Sequence, residues 1–309
     1  MTQKLSVSDL LDIAPLTIDD IHKILDRAKF FKGALADRNV PQTLKQKIIM
    51  TVFVENSTRT RTSFETAVLR LGGRLINWDE KISSAQKGES FSDTLNYLNG
   101  YAPDALIVRH FEYNAPHFVA GIMDCPVINA GDSWREHPSQ ALLDAFTIQE
   151  FKGGIAGMRV AIVGDLAHSR VANSNVALLT KLGAQVHLIA PQNLQPRSVS
   201  DNVRVFDRLE DGLTDCDVVM PLRIQKERMD SAVIPNDTAY FHAFGLTRER
   251  LKLAKNDAIV MHPGPMNRGI EIADEVADDP HQSAIFAQGA NGVPVRMAIL
   301  DLLAGNHHV

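Results

Sequence analysis

The chain reads as an α/β protein of two domains, each a parallel sheet covered by helices on both faces. Three observations predict this. Short apolar runs alternate with segments of helical period along the whole length. The 309 residues are more than one compact core usually holds. Lys152, Gly153 and Gly154 interrupt the alternation once, after which it restarts. Strands separated by helices pair in parallel, because only a crossover helix returns the chain to the same end of the sheet.

The first series opens with a helix over 18–38, where Ile21, Ile24, Leu25, Ala28 and Phe31 form one stripe. Strands are expected at 48–54, 74–78, 105–109 and 127–130, and helices at 58–71, 91–101, 116–123 and 138–151. The second series has strands at 159–163, 185–190, 203–206, 218–222, 239–241 and 258–261, with helices at 169–182 and 247–255. A last helix over 292–303 carries Val295, Ala298, Ile299 and Leu302 and must dock to be ordered. The expected domains are 1–150, joined by the terminal helix 292–309, and 151–291. In such sheets ligands bind beyond the carboxyl ends of the strands.

Composition narrows the partners. The chain is 45% hydrophobic and 22% charged, with a formal net charge of −5, which argues against nucleic acid and anionic membranes. Positive charge for an anionic substrate must then be local. No apolar run approaches a membrane span, and residues 1–11 have no apolar stretch of a signal peptide. Cys125 and Cys216 stand in no metal-ligand spacing and read as reduced thiols of a cytoplasmic protein. Neither a metal nor a cofactor is expected.

The segment Ser57, Thr58, Arg59, Thr60, Arg61 follows a strand and opens a helix. Helix-start N–H groups, hydroxyls and guanidinium forks together make a phosphate socket. Cations there oppose the helix dipole, so the sequence gives up stability unless an anion arrives. Serine and threonine are also ordinary caps, which is the alternative. Arg109 ends a buried strand and points to the binding face, unless it forms a surface ion pair. His137 precedes Pro138, Ser139 and Gln140 at a helix start, where the dipole favours a neutral ring that can donate to a carbonyl oxygen. It could also be structural; no second ligand stands at metal spacing on that helix. Residues 83–89 form a polar loop in which Lys87 precedes Gly88. Gly164 begins what could be a dinucleotide turn, but one glycine stands where that fingerprint needs three, and Arg170 suggests an anion contact instead. Arg223 and Gln225 follow another strand; Arg223 suits a carboxylate. Pro263, Gly264 and Pro265 fix an unusual turn, with a cis bond expected before Pro265.

Taken together, these residues resemble the aspartate and ornithine carbamoyltransferase superfamily. Ser57 to Arg61 with Phe64 and Glu65 is similar to its carbamoyl-phosphate signature. His137, Pro138, Ser139 and Gln140, with Leu142, Leu143 and Asp144, are similar to its second signature. The turn His262, Pro263, Gly264, Pro265 and the segment from Arg223 to Arg228 resemble the aspartate branch rather than the ornithine branch, which is the alternative.

The resemblance implies transfer of a carbamoyl group from carbamoyl phosphate to L-aspartate, the committed step of de novo pyrimidine (UMP) biosynthesis. It implies that Ser57, Thr58, Arg59, Thr60, Ser83, Lys87 and Arg109 hold the phosphate. Thr60, Arg109 and His137 would polarise the carbonyl. Gln140, with main-chain carbonyls of the Pro263–Gly264–Pro265 turn, would hold the carbamoyl amino group. Lys87, Arg170, Arg223 and Gln225 would bind aspartate, and Glu55 would join Arg170 and Arg228 on domain closure. It further implies a homotrimer in which Ser83 and Lys87 enter a neighbour's site. Regulatory or dihydroorotase-type partner chains are left open.

Overall fold

A computed structural model describes residues 4–79, 88–196, 199, 201–224 and 236–306. The chain divides into two compact units, Met1–Phe146 with Asn291–Val309, and Thr147–Ala290.

In the first unit α1 (Ile18–Ala36) leads to β1 (Ile48–Phe53), α2 (Thr58–Arg70), β2 (Arg74–Trp78), α3 (Phe91–Gly100), β3 (Ala105–His110), α4 (Ala115–Ala120) and β4 (Val127–Asp132), and α5 (Pro138–Lys152) begins in it and ends in the second. Its four-stranded sheet has the order β2-β1-β3-β4, every pair parallel. Strands β3 and β4 are buried at every residue, as in a sheet covered on both faces. Met50, Val52, Leu106, Val108 and Val127 pack with Leu95, Leu98 and Val119 as one core. Leu10 pairs with Ile128 and so covers the outer edge of β4.

The second unit holds β5 (Arg159–Val163), α6 (Arg170–Lys181), β6 (Gln185–Ile189), β7 (Val203–Phe206), α7 (Leu209–Leu213), β8 (Val218–Pro221), α8 (Asp237–Phe244), α9 (Arg248–Leu251), β9 (Ile259–Val260) and α10 (Asp274–Ala277). Its five-stranded parallel sheet has the order β7-β6-β5-β8-β9. Ala161, Val163, Val219 and Val260 pack against Leu213, Tyr240, Phe244 and Val276.

The last helix, α11 (Ile285–Ala304), begins in the second unit and ends in the first. There it is tied to α1 by Arg27 Nε on Asp301 Oδ2 at 2.8 Å and by Lys32 Nζ on Asn291 Oδ1 at 2.8 Å.

Three expectations need correction. Residues 239–241 are not a strand but lie inside α8, whose start is capped by Asn236 Oδ1 accepting from Ala239 N at 2.8 Å. The last helix starts at Ile285 rather than 292, so Pro294 sits inside it. The helix expected over 247–255 is the single turn Arg248–Leu251.

Both sheets reverse direction at one place. In the first unit β1 leads outward to β2, and the chain then returns to β3 on the other side of β1; in the second, β5 leads to β6 and β7 before β8 starts on its far side. Connecting helices leave the two strands at such a switch point in opposite directions, which opens a crevice beyond their carboxyl ends.

Candidate active site

The socket segment lies beyond β1, beside that crevice. Ser57 is the N-cap of α2, with extended backbone at φ −158° and ψ 98°, but its side chain makes no capping bond. The first bond of the helical ladder runs from Arg61 N to Ser57 O at 3.2 Å. The N–H groups of Thr58, Arg59 and Thr60 therefore precede the ladder. No acidic residue occupies the first turn. Arg61 is engaged on its own helix, with Nε 3.0 Å from Glu65 Oε1. Thr60 is buried, and Ser63 Oγ lies 2.7 Å from Arg59 O and 3.0 Å from Thr60 O.

Arg109 comes from the other strand of the switch point, paired in register with Phe53. It is buried, with Nη2 3.3 Å from Glu55 Oε1 and Nη1 3.3 Å from Ala130 O. A carboxylate and a carbonyl thus fix the plane of its fork.

His137 is set by a tight turn after β4. Asp132 N donates to Glu136 O at 2.9 Å, and Asn114 N donates to Asp132 Oδ1 at 2.8 Å. Arg135 reaches both Asp132, at 3.1 Å, and Asp12 Oδ2, at 2.8 Å. Burial raises the Asp132 carboxyl despite the opposing Asn114 N–H and Arg135 charge, and the Asp12 carboxylate raises Arg135 further above its usual range. His137 itself is buried, and its carbonyl accepts from Gln140 N at 2.9 Å and Ala141 N at 3.3 Å, opening α5 as expected. Gln140 is buried on the first turn, its Nε2 2.9 Å from Asp144 Oδ1.

The second unit presents its candidates at its own switch point. Arg170 is the first residue of α6 and is 9% exposed. The N-cap Ser169 accepts from Ala172 N at 3.1 Å. Gly164 has φ +133°, and a Cβ there would stand 3.1 Å from Leu222 O, which explains a glycine without any nucleotide. Leu222 N donates to Val163 O at 2.7 Å, and Arg223 follows, half-buried.

The Gly264–Pro265 peptide is cis, as expected. Two buried groups that the sequence reading missed support this turn. Gly264 N donates to His262 Nδ1 at 2.9 Å, so that ring nitrogen is an acceptor and the proton sits on Nε2, 3.2 Å from Glu271 Oε1. His262 directly precedes the turn and could have signalled its own role; Glu271, on a later loop, carries no signal.

Four expected site residues, Ser83, Lys87, Gln225 and Arg228, lie outside the described residues. Among the described residues no group of His, Cys, Asp or Glu is arranged to hold a metal ion, and no helix is long and apolar enough to cross a membrane.

Comparison with known proteins agrees with this geometry. Residues 8–150 match the family model of the aspartate/ornithine carbamoyltransferase carbamoyl-P binding domain, and residues 156–303 match that of the Asp/Orn binding domain. The aspartate carbamoyltransferase catalytic subunit of Rhodospirillum rubrum is 48% identical, over 96% of this chain and 94% of the relative. The structure of Trypanosoma cruzi aspartate transcarbamoylase in complex with carbamoyl aspartate and phosphate superposes with a TM-score of 0.88 at 31% identity, covering 98% of this chain and 99% of that one. Pyrococcus furiosus ornithine carbamoyltransferase also superposes with a TM-score of 0.88 at 31% identity, covering 96% of each chain. The backbone is thus common to both branches, and the side chains must separate them. With both halves matched and the open helix start and switch-point arginines in place, the chain belongs to the aspartate/ornithine carbamoyltransferase family.

Proposed function

We propose that this chain transfers the carbamoyl group of carbamoyl phosphate to the amine of L-aspartate, giving N-carbamoyl-L-aspartate and phosphate. The observation that carries the reading is the start of α2, where a serine N-cap leaves its helix uncapped and arginine replaces acid on the first turn. Three N–H groups, the dipole and the side chains of Ser57, Thr58, Arg59 and Thr60 then favour a phosphate dianion. Arg109 adds a fork from the neighbouring strand.

The chemistry follows from these groups. The aspartate amine attacks the carbamoyl carbon, and negative charge develops on the carbonyl oxygen. Thr60, Arg109 and His137 donate to that oxygen and stabilise it more as the charge grows. The C–O bond to phosphate then breaks with the electron pair going to phosphate, which also takes the proton from the amine. No protein nucleophile or strong base is needed, so orientation and electrostatics supply the acceleration. Gln140 and the carbonyls of the Pro263–Gly264–Pro265 turn hold the carbamoyl amino group. Arg170, Arg223 and Gln225 meet the two carboxylates of aspartate, and Glu55, Arg170 and Arg228 act in closure.

The same reading includes a homotrimer in which a neighbour supplies Ser83 and Lys87. Mixing Lys87→Ala and Arg59→Ala chains under dissociating conditions tests it. Partial recovery of activity is expected from sites that combine the two intact halves, and no recovery despite proven exchange rejects it. A cytoplasmic location agrees with two free cysteines whose thiols burial pushes up to about 11 for Cys125 and about 12 for Cys216, where they are unreactive.

Phosphate release from carbamoyl phosphate, measured with aspartate, with ornithine and with no acceptor, tests the substrate assignment. Release only with aspartate is expected; release driven by ornithine would move the chain to the other branch.

A further inference from the structure

Gln140 and Asp144 stand one turn apart on α5, and both are buried, Asp144 completely. The bond between them runs from Gln140 Nε2 to Asp144 Oδ1 at 2.9 Å. A carboxylate can only accept, so the amide must turn its NH2 toward Asp144 and its Oε1 the other way. That direction matters for recognition. A carbamoyl NH2 is a donor and needs an oxygen to receive it. An amide turned the other way would set donor against donor.

The terminal helix places a buried cation near this carboxylate. Arg296 on α11 is buried, and Asp144 is the anion whose field acts on it. Its guanidinium lies 4.9 Å from the centre of the Phe64 ring and donates to Ser63 Oγ at 2.6 Å. Arginine has no acceptor, so Ser63 must direct its only proton to the carbonyls of Arg59 and Thr60, 2.7 and 3.0 Å away. A nearby buried cation favours the charged, acceptor-only form of a carboxyl. One buried arginine thus stands behind both the socket helix α2 and the α5 turn.

We propose that Asp144 is a positioning residue that locks the Gln140 amide with Oε1 toward the carbamoyl NH2, and so selects carbamoyl phosphate over acyl phosphates that lack this donor. The inference rests on the reading of Gln140 as the contact to that amino group.

Acetyl phosphate, with a methyl in place of the NH2, is the probe. The quantity read is the ratio of its dissociation constant to that of carbamoyl phosphate, from competition experiments on the full chain. Gln140→Ala and Asp144→Asn should both lower this ratio at least about 10-fold, the size of one lost hydrogen bond. Acetyl phosphate binding should hardly change, whereas general damage to the site would weaken both ligands together. Arg296→Met should follow Asp144→Asn, and Arg296→Lys should recover part of the ratio. A ratio lost in Gln140→Ala but kept in Asp144→Asn overturns the positioning role and leaves the Gln140 reading standing. A ratio kept in Gln140→Ala overturns both. Should the buried substitutions prevent folding, the wild-type protein still decides. On binding carbamoyl phosphate, the Gln140 Cδ resonance should move and its side-chain NH2 resonances should stay; NH2 resonances that move most would overturn the lock.

Discussion

In each unit the first strand of the sheet runs into a helix with a serine N-cap and an arginine on its first turn: β1 into α2 through Ser57, and β5 into α6 through Ser169. Ser169 does what a cap does, accepting from Ala172 N at 3.1 Å. Ser57 makes no capping bond. The two serines hold the same place in the same local architecture, so residue type does not explain the difference. A helix that satisfies its own first turn has little left to offer an anion. One that does not has traded stability for a binding site. In the second unit, by contrast, the candidates are the side chains of Arg170 and Arg223, and the proposed role for them, meeting carboxylates spread over a small amino acid, asks less of a helix start than one compact phosphate does.

The comparison breaks first at Arg59. Arg59→Ala should cost at least about 100-fold in turnover, about 2.7 kcal/mol, while the fold is retained by circular dichroism. Near-normal activity in the folded variant would mean that the α2 start is no more a socket than the α6 start.

His137→Ala should lower the maximal rate about 30-fold, about 2 kcal/mol, with a smaller change in the carbamoyl-phosphate KM. A change in KM alone would remove the histidine from transition-state stabilisation.

The two serines give opposite expectations. Ser57→Ala should leave the melting temperature within error yet lower kcat/KM for carbamoyl phosphate about 10-fold. Ser169→Ala should cost about 1 kcal/mol, a fall of about 2–4 °C in Tm, with the carbamoyl-phosphate KM unchanged. Thermal melts beside steady-state kinetics check both, and matching behaviour in the two variants would dissolve the contrast.

A third helix start sharpens the point with the smallest effect. At α1 Thr17 and Asp20 form a reciprocal capping box. Burial would raise the Asp20 carboxyl, but bonds from Ser6 and Thr17 outweigh it and lower the group to about 2 from 3.8. A depressed folded-state value stabilises above the unfolded one, and that stability is lost as pH falls from about 4 toward 2. Asp20→Asn should therefore be less stable than wild type at pH 7, by denaturant melts, and the gap should close by about pH 2. A gap that did not narrow would show that the cap does not depend on the charge.

The strand and helix order was largely legible, because buried parallel strands are continuous apolar runs and the helices carry one-sided stripes. The failures have physical causes. Ala239, Tyr240 and Phe241 make a short apolar run that either structure can hold, and the Asn236 cap decides for helix. Gly289, Gly292 and Pro294 look like breakers, yet α11 passes through them with Val295, Met297, Ala298 and Ile299 fully buried, so tertiary packing overrides propensity. The positions of candidate residues at strand ends and helix starts, such as Ser57, Arg109, His137 and Arg170, could be read from local pattern. Glu271 and Arg296 could not: Glu271 meets His262 and Asn267 only because an irregular loop folds back on itself, and Arg296 supports Ser63, far away in sequence.

The central claim is that the α2 start is an open anion socket and the α6 start is not. Titration of inorganic phosphate into the 15N-labelled protein, followed at individual backbone amides, tests it most directly. Saturable shifts at Thr58, Arg59 and Thr60, with Val171 and Ala172 unmoved, are the predicted result. Shifts of equal size at both helix starts, or none at α2, would contradict the account.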